Sequence, residues 1–200
     1  MRHRYERGKT DRTLVLFHGT GGSMDDLVGI AKALDSNAHV IALEGDVDEH
    51  GMKRFFKRIR PGVFDEQDLI ERTHALDDTL KTLAKKYEVP VLKMVLVGYS
   101  NGANIISSYL SLFGKKVAGA LLFQPMMPFR DTVFEDLEGL PVFMSASEND
   151  PIVPLSQSTA LIDAYKKAHA KIQPFWHKDG HSLSNVTIEK AVHFFQSHWA

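Results

Sequence analysis

Met94-Val95-Leu96-Val97-Gly98-Tyr99-Ser100-Asn101-Gly102-Ala103 reads as a strand, a tight turn and the start of a helix. The opening run is apolar and β-branched, as expected of a strand buried on both faces. The turn matches G-x-S-x-G. As a bare pattern this is weak, because glycine and serine are common residues. Its position directly between a strand and a helix is the setting in which a serine is held in a strained turn with its hydroxyl exposed. The flanking glycines leave room where side chains would strike the adjoining strand and helix. The helix N-terminus beyond directs positive potential at any negative charge that develops there.

Working outward, strands and helices alternate. Residues 13–17 form an apolar run closed by Gly19, and residues 39–43 form another. Residues 142–146 and 171–176 read as strands, as does 117–123, and 3–6 is a further candidate. Helical periodicity marks 23–34, 66–87, 103–113, 156–169 and 186–199. In 66–87 the residues Leu69, Thr73, Leu76, Leu80, Leu83 and Tyr87 share one face, and Pro90 ends the helix. Residues 44–64 read as a long irregular stretch. This order predicts an α/β fold in one domain over 1–200, a mostly parallel sheet of about six to seven strands with helices on both faces. In such sheets function lies beyond the carboxyl ends of the strands.

A serine hydroxyl needs a base, and the base needs a carboxylate to orient it. Behind an elbow of this kind the chain order is Ser, then Asp or Glu, then His. His181 lies in Lys178-Asp179-Gly180-His181-Ser182, after the last expected strand and before the last helix. His177, at the strand end itself, is its competitor. The other eight histidines either precede Ser100, at expected surface positions, strand starts or the first core turn, or fall inside helices. The acid is expected after 142–146, where Asp150 stands before Pro151, with Glu148 as the alternative. The expected catalytic residues are therefore Ser100, Asp150 and His181.

Phe17-His18-Gly19-Thr20-Gly21-Gly22-Ser23 follows the first core strand. It lacks the Lys-Ser/Thr pair of a P-loop and the spacing of a dinucleotide-binding turn. It reads as the loop that supplies the second donor of an oxyanion hole, with the N–H groups of Thr20 and Asn101 as donors. His18 reads as a structural residue of that loop.

Composition bounds what else the chain can be. Of 200 residues, 44% are apolar and 24% charged, the formal net charge is -1, and there is no cysteine. A thiolate nucleophile, a disulfide and a cysteine metal site are thereby excluded. Near-neutral charge argues against a nucleic-acid partner, although 53–60 interleaves basic residues with phenylalanines. No apolar run approaches the roughly 20 residues of a membrane span, and the charged start, Met1-Arg2-His3-Arg4, is unlike a signal peptide. A cytoplasmic location, no membrane partner and no metal are expected.

Four stretches together resemble the phospholipase/carboxylesterase family, which includes acyl-protein thioesterases. They are Leu16-Phe17-His18-Gly19-Thr20-Gly21-Gly22, Gly98-Tyr99-Ser100-Asn101-Gly102-Ala103-Asn104, Asn149-Asp150-Pro151 and Gly180-His181. Residues 51–58 with 62–65 are similar to a bacterial branch of hydroquinone- or catechol-stress esterases. The resemblance implies a capless α/β-hydrolase fold, no organic cofactor, cleavage of carboxylic esters or thioesters, and a homodimer in many members. Asn101 stands where the eukaryotic thioesterases carry Gln, which weakens transfer of protein deacylation. The related dienelactone hydrolases use a cysteine at the elbow, a chemistry that Ser100 excludes.

The expected activity is hydrolysis of small carboxylic esters through an acyl-enzyme. The alternatives are a thioesterase or lysophospholipase with the same triad, and a non-catalytic binding module on the same fold. Met52, Arg54 and Phe55 in one loop, and Met126 and Met127 in another, are expected to contact the small-molecule ester.

Overall fold

The computed structural model describes residues 1–131 and 133–199. In chain order the elements are β1 (Arg2–Glu6), β2 (Thr13–Phe17), α1 (Val28–Leu34) and β3 (His39–Glu44). Four short strands follow: β4 (Val47–Glu49), β5 (Met52–Arg54), β6 (Arg58–Arg60) and β7 (Val63–Phe64). Then come α2 (Glu66–Tyr87), β8 (Met94–Tyr99), α3 (Asn101–Phe113), β9 (Gly119–Phe123) and β10 (Pro141–Ser147). The chain closes with α4 (Leu155–Lys167), β11 (Lys171–His177) and α5 (Asn185–Trp199).

Seven strands make one sheet in the order β1-β3-β2-β8-β9-β10-β11, parallel throughout except for β1, which runs antiparallel to β3. Side chains of each central strand alternate between two apolar layers. Val15 and Phe17 of β2 join Leu96 of β8 in the layer under α2, α3 and α4. Leu14 and Leu16 join Val95 and Val97 in the layer under α1 and α5. Both faces are covered, which is why these strands carry no polar alternation. From β2 the chain steps one way to β3, and from β8 it steps the other way through β9, β10 and β11. The strand order therefore reverses between β2 and β8, and the loops leaving their carboxyl ends diverge to leave a crevice. The register sets Phe17 opposite Gly98 and Tyr99 opposite Phe123, so three strands end at one level.

Two segments differ from the sequence expectation. The first helix begins at Val28 rather than at 23. The Ser23 hydroxyl donates to Asp26 and accepts from the Asp25 N–H, so local side-chain bonds hold a turn where a helix would otherwise start. The stretch 44–64 is not irregular but forms two antiparallel hairpins, β4–β5 and β6–β7. Their strands are two or three residues long, too short for a periodic signal. The first turn runs through His50 and Gly51, both at positive φ (55° and 85°), the conformation hairpin twist demands. Elsewhere boundaries move by no more than two residues.

Candidate active site

The elbow is as tight as its glycines suggest. Ser100 has φ 52° and ψ −113°, a conformation that L residues seldom adopt. It is held there from both sides: its N–H donates to the Phe123 carbonyl (2.8 Å), and its carbonyl accepts from the Asn104 N–H (2.9 Å). A Cβ on Gly102 would lie 2.1 Å from the Phe17 carbonyl oxygen, and one on Gly98 would lie 2.7 Å from the Ala103 nitrogen. Both obstacles are backbone and cannot swing away. Gly102→Ala is therefore expected to destabilise the fold by about 2 kcal/mol or more and to displace the elbow. A thermal melt unchanged from the parent would contradict this.

The Ser100 hydroxyl lies 2.9 Å from His181 Nε2, and His181 Nδ1 lies 2.7 Å from Asp150 Oδ2. A carboxylate only accepts, so Nδ1 carries the ring proton and Nε2 is left to accept from the serine hydroxyl. The Asp150 side chain is almost wholly buried, and its other oxygen accepts from the N–H groups of Ile152 (2.7 Å) and Val153 (3.0 Å). These bonds compensate its burial and fix its plane. The two loops are tied together where they meet: Asn149 Oδ1 accepts from the Gly180 N–H and the Ser147 hydroxyl. Tyr99 donates its hydroxyl to the His181 carbonyl at 2.7 Å. Burial, aided by the Asp150 charge, pushes this phenol up from its ordinary value, so it stays a neutral donor.

His177 is elsewhere. It is buried, its Nδ1 accepts from the Asp179 N–H, and its Nε2 meets the Gln124 amide at 2.7 Å. The amide nitrogen of Gln124 faces Nε2 and its oxygen is left without a partner; with Nδ1 accepting, Nε2 carries the proton, and an amide turned end for end would satisfy both groups. Burial lowers the His177 pKa from its ordinary 6.5. The folded state thus takes up this proton less readily than the unfolded chain. Its effect on stability is nil well above pH 6.5 and grows unfavourable as pH falls below it. His177→Gln is expected to flatten the loss of stability on acidification. Denaturant titrations of both proteins at pH 7 and pH 5 check this, and parallel losses would refute it.

The loop after β2 lies beside the elbow. Neither the Thr20 N–H nor the Asn101 N–H donates to another group among the described residues. Hairpin β4–β5 is fastened to this loop and to α3. Its Lys53 carbonyl accepts from the Gly21 N–H (2.9 Å), its Arg54 Nη1 donates to Thr20 Oγ1 (2.6 Å), and the Phe55 N–H donates to Asn101 Oδ1 (2.7 Å). His18 is buried against Phe55 and accepts at Nε2 from the Gly45 N–H (3.0 Å), so it anchors the loop.

A cavity of about 280 Å³ opens over Ser100. Its wall includes Thr20, Arg54, Asn101, Met126 and His181, all singled out from sequence, and also Arg58, Phe64, Asn104, Gln124, Ile152 and Val153. Three expected contacts are not in this wall. Phe55 is fully buried against Phe17 and His18, because the hairpin turns its ring into the core. Met52 stands at the rim near Gly21. Met127 lines an adjacent groove with Pro128 and Phe129. Four of the missed residues come from hairpin β6–β7 and the Asp150 loop, whose approach to the elbow carries no sequence signal; Asn104 lies on α3 and Gln124 follows β9. Among the described residues no group of three or more His, Asp or Glu is placed to hold a metal, and no helix is long and apolar enough to cross a membrane.

The family model described as the dienelactone hydrolase family matches residues 58–193. The chain is 39% identical to the hydrolase MhqD of Bacillus subtilis (strain 168), over 98% of each protein. It is 26% identical to acyl-protein thioesterase 1 of Debaryomyces hansenii, over 68% of this chain and 66% of that one. The crystal structure of the Bacillus cereus carboxylesterase superposes with a TM-score of 0.97 at 39% identity, covering 100% of this chain and 95% of that chain.

Proposed function

This chain belongs to the dienelactone hydrolase family and is a carboxylic ester hydrolase, and from that premise we propose that it cleaves small esters through an acyl-enzyme on Ser100. The observation that carries the reading is the unbroken hydrogen-bonded chain Ser100–His181–Asp150 at a strained elbow, with two free backbone donors beside it. Family membership brings no thiolate here, because the chain has no cysteine.

His181 Nε2 takes the Ser100 proton as Oγ attacks the ester carbonyl carbon. The carbonyl oxygen becomes an oxyanion and is met by the N–H groups of Thr20 and Asn101. Asp150 stabilises the imidazolium that forms. The tetrahedral adduct then expels the alcohol, which takes its proton from His181 and leaves the acyl group on Ser100. Water, deprotonated by His181, attacks that acyl group; the acid departs and Ser100 recovers its proton. Met126 and Phe64 supply apolar wall and Arg54 a nearby positive charge, and a cavity of about 280 Å³ suits a short acyl or aryl group.

The likeness to an acyl-protein thioesterase supports a second reading, thioester cleavage by the same residues. Matched panels of 4-nitrophenyl esters and acyl thioesters separate the two. The test common to both is labelling by a fluorophosphonate followed by peptide mass mapping. Modification of Ser100 with loss of 4-nitrophenyl acetate hydrolysis is expected. An active enzyme left unlabelled at Ser100 would overturn both readings.

A further inference from the structure

Arg54 is a buried cation whose ion pair with Glu49 is long and lacks a hydrogen bond. Its residue is 3% exposed, and the nearest carboxylate oxygen, on Glu49, is 3.8 Å away. Glu49 is shared: its Oε1 accepts from Arg58 Nε at 2.9 Å, while Oε2 faces Arg54 beyond hydrogen-bond distance. Burial, with the neighbouring Arg58 charge, lowers the Arg54 pKa to about 10, so the guanidinium remains charged at neutral pH. Leaving a cation in this state is costly unless something nearby becomes negative. Its side chain does not float: Nε donates to the Phe56 carbonyl (3.2 Å), the guanidinium lies over the Phe56 ring, and the backbone belongs to β5. The one hydrogen bond of its Nη1 among the described residues goes to Thr20 Oγ1, at 2.6 Å.

Donor accounting then constrains Thr20. A guanidinium has no acceptor, so Thr20 Oγ1 accepts this bond and its own O–H hydrogen must point elsewhere. That hydroxyl donates to no other side chain or backbone group among the described residues, and Thr20 lines the cavity over Ser100. We propose that the Thr20 hydroxyl, polarised by Arg54, is a third hydrogen-bond donor to the oxyanion, beside the backbone N–H groups of Thr20 and Asn101. Arg54 acts through it as a positioning residue, and its charge, only loosely paired with Glu49, is complemented more fully when the oxyanion forms. Such an interaction strengthens from ground state to transition state and so raises kcat rather than substrate affinity. The proposal rests on the serine-esterase reading.

Thr20→Val removes the hydroxyl while keeping the shape and the N–H. It is expected to lower kcat for 4-nitrophenyl acetate by about 10- to 100-fold with KM little changed. Thr20→Ser is expected to recover most of that loss. Affinity for a trifluoromethyl ketone, whose hemiketal with Ser100 bears the same oxyanion, should fall in parallel with kcat. Arg54→Gln should lower kcat in the parent but add little in the Thr20→Val background, since its effect passes through the hydroxyl. A Thr20→Val enzyme within about 3-fold of the parent, or an Arg54→Gln loss of equal size in both backgrounds, would overturn the inference. Thr20→Ala provides the same test if Val does not fit. Should the parent hydrolyse no ester and its Ser100 resist fluorophosphonate, the esterase reading itself fails. An active, labelled parent with an unaffected Thr20→Val variant sinks only the third donor.

Discussion

Replacing Ser100 by Ala is expected to lower kcat for 4-nitrophenyl acetate by about 10⁵- to 10⁶-fold, the scale on which triad nucleophiles act. The expectation follows from the division of labour at the site. Without Oγ no acyl-enzyme forms, and His181 can only assist direct attack by water. Backbone donors would still receive an oxyanion, so a residual rate above the uncatalysed one should persist. The fold should hardly notice. Among the described residues the Ser100 side chain makes one hydrogen bond, to a histidine whose side chain is 11% exposed. A melting temperature within a few degrees of the parent, with near-complete loss of turnover, is the anticipated pair of results. Turnover that survives the substitution would remove Ser100 from the chemistry.

Asp150→Asn should cost about 10⁴-fold in kcat, by a different route. The amide oxygen can still accept from the Ile152 and Val153 N–H groups, so the loop keeps its form. The amide NH₂ then faces His181 Nδ1, where the carboxylate oxygen now lies at 2.7 Å. Being a donor, it selects the tautomer protonated on Nε2. That nitrogen, 2.9 Å from Ser100 Oγ, would then offer a proton where it must take one. Fluorophosphonate labelling of Ser100 should slow in step with turnover. A loss under about 10-fold would mean that Asp150 does not orient His181, and would turn attention to Glu148, which is exposed and pairs with Lys178.

Asp150 was legible before any fold was seen because chain order and a strand-end position select it. The same holds for Ser100 and His181, which the fold brings into one hydrogen-bonded chain with Asp150, and for the loop at Thr20 that lies beside them. These residues sit on the turns that leave apolar strands, and apolar strands announce themselves. The cavity wall was legible only in part. Met126 and Arg54 were found, whereas Arg58, Phe64, Ile152 and Val153 were not, and Phe55 was assigned to the wrong side of its hairpin. Strands of two or three residues have no period long enough to declare which face is buried, and their orientation is set by what they dock against.

By itself, then, the amino-acid sequence determined the layered α/β architecture, the elbow around Ser100 and the strand-end positions at which Asp150 and His181 follow it. Each rests on local physics: apolar runs that must be buried, and glycines where backbone passes backbone. Only the tertiary structure decided that Arg54 is buried against Thr20 with only a long ion pair to Glu49, and that Gly21 and Asn101 are bolted to the hairpin and Phe55 beyond it. The hydrogen bonds at Thr20, Gly21 and Asn101 join residues more than thirty positions apart, and burial and hydrogen-bond satisfaction at such distances exist only once the sheet has brought the loops together.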